Sequence, residues 1–133
     1  MPAVVLDTDV WSFLFKRDTR AEAYRSHLEH NVLHVSFQTV AELYQWAEVA
    51  RWGEANRERL REWLTRFDIL GYDDATARLW ARVRAAREQR GRPLAAQDAW
   101  VAACAMRHGL PLVTHNSADY VEIDGLTLIS ETP

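Results

Sequence analysis

Short runs of β-branched and aliphatic residues alternate with longer helical patterns along this chain. That order predicts an α/β domain built on a mostly parallel central sheet of four to five strands. Two further observations support the class. No linker, repeat or low-complexity tract divides the 133 residues, so positions 1–133 are expected to fold as a single domain. The hydrophobic fraction of 48% suffices for a core without a disulfide, which the lone Cys104 could not form internally.

The first strand is read at Ala3 to Leu6. Asp7-Thr8-Asp9 ends it and opens a helix whose apolar face is Val10, Trp11, Phe13 and Leu14. Residues 20–30 read as a second helix, and Val32 to Val35 as a second strand. From Thr39 to about Trp52, Val40, Leu43, Tyr44 and Ala47 recur at helical spacing. Beyond Gly53, Asn56 to Phe67 is a charged amphipathic helix, followed by a short strand at Ile69-Leu70. Asp73 or Asp74 caps a helix running to about Gln89, which Gly91-Arg92-Pro93 stops. Gln97 to His108 is an Ala-rich helix. Leu112-Val113-Thr114 and Leu126 to Ile129 complete the sheet.

Composition narrows the function classes. No apolar run approaches the ~20 residues of a membrane span, and the opening residues lack a secretory pattern. With a single cysteine, a cytoplasmic protein with no membrane partner is the expectation. The net charge of −3 taken alone disfavours nucleic acid, but its distribution does not. Residues 51–92 hold eleven Arg against seven acidic residues, an asymmetry able to steer an anionic ligand. A compositional bias towards arginine on solvated helix faces accounts for the same residues without a ligand.

Four acidic residues fall at the ends of elements. Ligands of open parallel sheets bind beyond the carboxyl ends of the strands. Asp7 directly follows the first strand, and Glu42 stands in the first turn of the helix after the second. Asp98 lies in the first turn of the helix from Gln97, and Asp119 five residues beyond the strand 112–114. Two carboxylates ~5 Å apart repel by about 3 kcal/mol at an effective dielectric near 20. Four brought together therefore need protons or a cation, and hard divalent ions choose carboxylate oxygens. Each residue also has a local explanation. Thr39-Val40-Ala41-Glu42 has the form of a capping box, Asp7 of a helix cap, and Asp98 and Asp119 suit the dipole of a helix start.

Around these residues the sequence resembles the PIN-domain family, and within it the VapC-like toxins of bacterial toxin–antitoxin pairs. The matching segments are Val5-Leu6-Asp7-Thr8-Asp9-Val10; Ser36 with Thr39-Val40-Ala41-Glu42-Leu43; Gln97-Asp98-Ala99-Trp100-Val101-Ala102-Ala103; and Leu112-Val113-Thr114-His115-Asn116 with Asp119-Tyr120. Any one of them is weak, but four in order are specific. The resemblance implies a three-layer α/β/α fold and a Mg²⁺- or Mn²⁺-dependent endoribonuclease. It implies that Asp7, Glu42, Asp98 and Asp119 hold metal, and that Thr114 and Asn116, with Thr8 and Asp9 as weaker candidates, line the site. It also implies hydrolysis by metal-activated water, leaving 5′-phosphate and 3′-hydroxyl ends. The implied partners are an RNA substrate, a small antitoxin that covers the acidic site, and a second copy in a homodimer. Two alternatives remain: a non-catalytic PIN-like module that binds RNA or protein, and a housekeeping RNA or DNA nuclease without antitoxin.

The remaining features have both structural and functional explanations. Trp46 and Trp63, on consecutive helices, would form an exposed apolar clamp for a partner, whereas Trp80, Trp100 and Cys104 are expected in the core. His27 and His30 read as surface residues rather than a metal pair, and for His115, inside the fourth motif, substrate contact is the lesser of its readings. Arg78, Arg82, Arg84, Arg87 and Arg92 would lie beside the third motif, within reach of an RNA backbone.

Overall fold

Aliphatic residues without polar interruption make Ala3–Leu6 a strand buried on both sides, and it occupies the centre of the sheet. The structure is a computed structural model that describes residues 2–131. Five strands, β1 (Ala3–Leu6), β2 (Val32–Ser36), β3 (Asp68–Leu70), β4 (Leu112–Val113) and β5 (Leu128–Ile129), lie in the order β3-β2-β1-β4-β5. Every pairing is parallel, with Val5 opposite His34 of β2 and Leu112 of β4.

Six α-helices connect and cover the sheet: α1 (Thr8–Lys16), α2 (Arg25–Leu28), α3 (Phe37–Val49), α4 (Glu54–Leu64), α5 (Asp74–Gln89) and α6 (Ala96–Arg107). Side-chain alternation along β1 divides the core into two layers. Val4 and Leu6 pack with Val10, Trp11, Phe15, Leu43, Leu60 and Leu64 of α1, α3 and α4. Val5 faces the other way, onto Val83, Ala99, Ala102 and Cys104 of α5 and α6. This is the expected three-layer α/β/α arrangement. The expected burial of Cys104 also holds, and burial pushes its thiol up to about 11.

Element ends shift by two or three residues in places, as at α4 (expected 56–67, found Glu54–Leu64) and β5, and two differences have a clear local cause. The helix expected over 20–30 is a 3₁₀ segment, Thr19–Tyr24, leading into the single turn α2. Asp18 caps that segment, and buried Tyr24 fixes its inner face. The helix expected from Thr39 begins at Phe37, because Ser36 is its N-cap and accepts the Thr39 N–H at 3.1 Å.

Candidate metal centre

Strand order reverses between β1 and β4: the chain moves outward from β1 through β2 to β3, then returns to the far side of β1. At such a switch point the connections leave in opposite directions and open a crevice. Asp7 follows β1 and Thr114 follows β4, side by side at this crevice. Asp7 caps α1 with Oδ1, which accepts the Thr8 N–H at 2.8 Å. Its Oδ2 accepts the Thr114 hydroxyl, also at 2.8 Å. Capping therefore accounts for one oxygen and leaves the other directed across the crevice. Burial raises the Asp7 pKa above the usual carboxylate value and Glu42 adds to the rise, while the bonds from Thr114 and Thr8 oppose it.

Asp98 reports the convergence most directly. It lies in the first turn of α6, and its pKa is pushed up to about 6. Burial is the largest cause, followed by the negative charges of Asp7, Asp119 and Glu42. The fold thus brings the other three sequence-predicted acids within electrostatic reach of Asp98.

Glu42 lies in the second turn of α3. Since Ser36 caps that helix, the capping box expected at Thr39–Glu42 does not form. Thr39 instead turns its hydroxyl to that of Thr8, 3.0 Å away, and Glu42 accepts the Gln38 amide at 3.1 Å. Asp119 is on the 3₁₀ turn Ser117–Tyr120, and the Asn116 side-chain amide donates to its Oδ2. Asn116 also donates its own N–H to the Thr114 hydroxyl at 3.1 Å.

Asp9 is placed differently. Both of its oxygens accept backbone N–H groups, from Val10 at 2.6 Å and from His115 at 3.0 Å. It ties α1 to the turn after β4. Its pKa rises to about 6 through burial and the charge of Asp7.

Tyr120 was given no role by the sequence, although it adjoins Asp119. Its side chain is buried, and its hydroxyl donates to Asp98 Oδ1 at 3.5 Å. Burial and the surrounding acids push the phenol pKa far upward, so it stays a proton donor. A tyrosine directly after the last motif acid is the signal the sequence offers.

A groove of about 860 Å³ runs from Asp98 and Asp119 past Glu42 and Thr8 to Lys16 and Trp46. A second, of about 460 Å³, leaves the same two acids between Arg87 and Arg92. Among the described residues, no group of three or more acidic, imidazole or thiol side chains is placed to hold a metal ion as it stands. Asp98 and Asp119 lie where the two grooves meet, and Glu42 lies along the larger one.

Several expectations fail here. Trp46 and Trp63 form no exposed clamp: both are half-buried, Trp46 against Trp52 (4.6 Å between centroids) and Phe15, Trp63 against Trp11 and Phe15. Phe15 sits among these rings and draws both tryptophans inward. His115 packs between Phe13 and Tyr24, its Nδ1 2.5 Å from the tyrosine hydroxyl, which makes it part of the framework. Arg87 is buried and donates to the carbonyls of Arg92, Asp119 and Val121, so it braces the site from behind. Arg84 donates to the Leu94 carbonyl, and Arg78 pairs with Asp74. Trp80 and Trp100, expected in the core, are only half-buried; they stack on each other at 5.0 Å, one on α5 and one on α6. His27 contacts Glu131 and takes part in no metal cluster among the described residues.

The PIN domain model matches residues 4–126. The chain is 30% identical over 122 residues to the tRNA(fMet)-specific endonuclease VapC of Shigella flexneri, covering 92% of each. It is likewise 30% identical to Ribonuclease VapC2 of Haemophilus influenzae, again over 92% of each chain. Among solved structures, FitAcB from Neisseria gonorrhoeae superimposes with a TM-score of 0.84 at 27% identity, covering 96% of both chains. VapBC-1 from nontypeable Haemophilus influenzae gives 0.84 at 25% identity, over 96% of this chain and 97% of that one.

Proposed function

The chain belongs to the PIN-domain family, and on that premise we propose that it is a metal-dependent endoribonuclease, the toxin of a toxin–antitoxin pair. The observation that carries this reading is the placement of Glu42, Asp98 and Asp119 along one groove, where the Asp98 pKa is raised first by burial and then by the charges of Asp7, Asp119 and Glu42. An uncompensated cluster of this kind costs stability, and a divalent cation is the ligand that offsets it. The donor set is made of carboxylate oxygens without cysteine or histidine, which suits Mg²⁺ or Mn²⁺ over softer metals.

Asp7, Glu42, Asp98 and Asp119 would hold the ion. When bound, it would supply an activated water and neutralise charge on a phosphodiester. The protein's own part is positional. Thr114 fixes the Asp7 carboxylate, Tyr120 that of Asp98, and Asn116 that of Asp119. Arg87 holds the backbone on which Asp119 stands. Thr8, held by the buried Thr39 hydroxyl, lines the larger groove, where an RNA strand would lie. A small antitoxin covering these grooves would block the site, and a homodimer is the proposed assembly. Among the described residues, no helix is long and apolar enough to cross a membrane.

The test is incubation of structured RNA with the purified protein. Cleavage in Mg²⁺ or Mn²⁺, its loss in EDTA, and 5′-phosphate and 3′-hydroxyl product ends are expected. Metal-independent cleavage or no cleavage would overturn the reading. Co-purification with the product of a short reading frame directly upstream separates a toxin from a housekeeping nuclease.

A further inference from the structure

The two grooves differ sharply in their cations. Lys16, the only lysine in the chain, lines the larger groove and makes no ion pair among the described residues. Its ammonium lies 4.5 Å from the centre of the Trp46 ring. Trp46 also packs edgewise on Trp52 and Phe15, so it is anchored in the core and holds Lys16 over the groove. In the smaller groove Arg92 is half-exposed, and among the described residues its one ion pair is with the similarly exposed Glu122 at 3.3 Å. Such a surface pair is readily exchanged for a phosphate. The backbone beneath Arg92 is firmly set. Its N–H donates to the Arg87 carbonyl at 3.0 Å, and Arg87 Nε donates to the Arg92 carbonyl at 2.8 Å, across a turn that Gly91 makes at φ +71°.

Asp98 and Asp119 line both grooves, so these two acids lie where the grooves meet. Each groove leading away from that point presents one cation that is available to an anion. We propose that the two grooves form one path for a single-stranded RNA backbone, with Lys16 and Arg92 each gripping a phosphate on either side of the carboxylates. The proposal rests on the nuclease reading above and adds the path of the substrate. Spreading the cations along the path keeps them from neutralising the acids directly while still drawing in a polyanion. Trp46 serves here as a support for Lys16, because the ammonium occupies the position over its ring that a stacked base would take.

The test uses an end-labelled single-stranded RNA of mixed sequence, bound in Mg²⁺ by the full chain carrying Asp98→Asn, which leaves the oligonucleotide intact. Lys16→Gln and Arg92→Gln should each weaken binding several-fold. Each should also lower the slope of log affinity against log salt by ~0.7, as for one phosphate contact on a single strand. Arg61→Gln removes the same charge from a residue paired with Glu54 and Glu58 on α4 and should change neither quantity. Unchanged binding in both groove variants, loss in only one, or an equal loss in Arg61→Gln would overturn the path. Wild-type protein showing these dependences but never cutting RNA in Mn²⁺ would instead overturn the nuclease reading and leave the path standing.

Discussion

The Thr114 hydroxyl donates to Asp7 Oδ2 at 2.8 Å and accepts the Asn116 N–H at 3.1 Å. The first of these bonds joins Asp7 and Thr114, 107 positions apart, which follow neighbouring strands. Thr114 is fully buried, so neither bond has water as a substitute.

Thr114→Val is isosteric but removes that hydroxyl. It should destabilise the fold by about 1–3 kcal/mol, the usual cost of leaving a buried polar group unmet. It should also weaken Mn²⁺ binding, because the Asp7 carboxylate loses the bond that favours its charged form. Thr114→Ser should restore both properties. Denaturant titration and calorimetric Mn²⁺ titration measure the two effects separately.

Asp98→Asn should make the metal-free protein more stable at neutral pH. The folded-state pKa of Asp98 is about 6, against 3.8 for an unperturbed group. The native state therefore binds this proton more tightly than the unfolded state does. The stabilisation from protonation is fully present below about pH 4 and is lost as pH rises through 6. Two pKa units correspond to roughly 3 kcal/mol, and partial solvent exposure reduces this to about 1 kcal/mol. The stability advantage of the variant should thus be small at pH 4 and reach its full size by pH 7, as read by chemical denaturation in EDTA.

Tyr120→Phe should cost about 10-fold in Mn²⁺ affinity, in line with the loss of a residue that orients a ligand. The ring remains to fill its buried space, so the melting temperature should change little. An unchanged affinity would show that the 3.5 Å contact with Asp98 does not orient that carboxylate.

Ser36→Ala and Glu42→Gln should separate helix capping from the site. Loss of the Ser36 cap should cost about 1 kcal/mol of stability. Glu42→Gln should leave stability essentially intact while weakening metal binding, since Glu42 takes no part in the cap.

Much of this was legible because the strongest signals are local. Unbroken β-branched runs marked β1, and the turn residues Asp73 and Gly91 bounded α5. The order of strands and helices then fixed which ends could share a crevice. Convergence of Asp7, Glu42, Asp98 and Asp119 was suggested only by that order and by family resemblance. The start of α3 was misplaced because Thr39-Val40-Ala41-Glu42 and Ser36-Phe37-Gln38-Thr39 both suit a helix start, and only the end of β2 at Ser36 decides between them. Trp46 and Trp63 were misassigned because periodicity cannot reveal that Phe15, from a distant helix, fills the space between them. Tyr120, Arg87 and Lys16 act through contacts remote in sequence, with Asp98, Val121 and Trp46 respectively.

The central claim is that the four acids form a cation site on which RNA cleavage depends. Side-by-side cleavage of one RNA by wild type and Asp98→Asn in Mn²⁺, with circular dichroism showing both folded, tests it most directly. Cleavage by the wild type, abolished by EDTA and reduced by orders of magnitude in the variant, is the predicted result. Equal rates in the two proteins would contradict it.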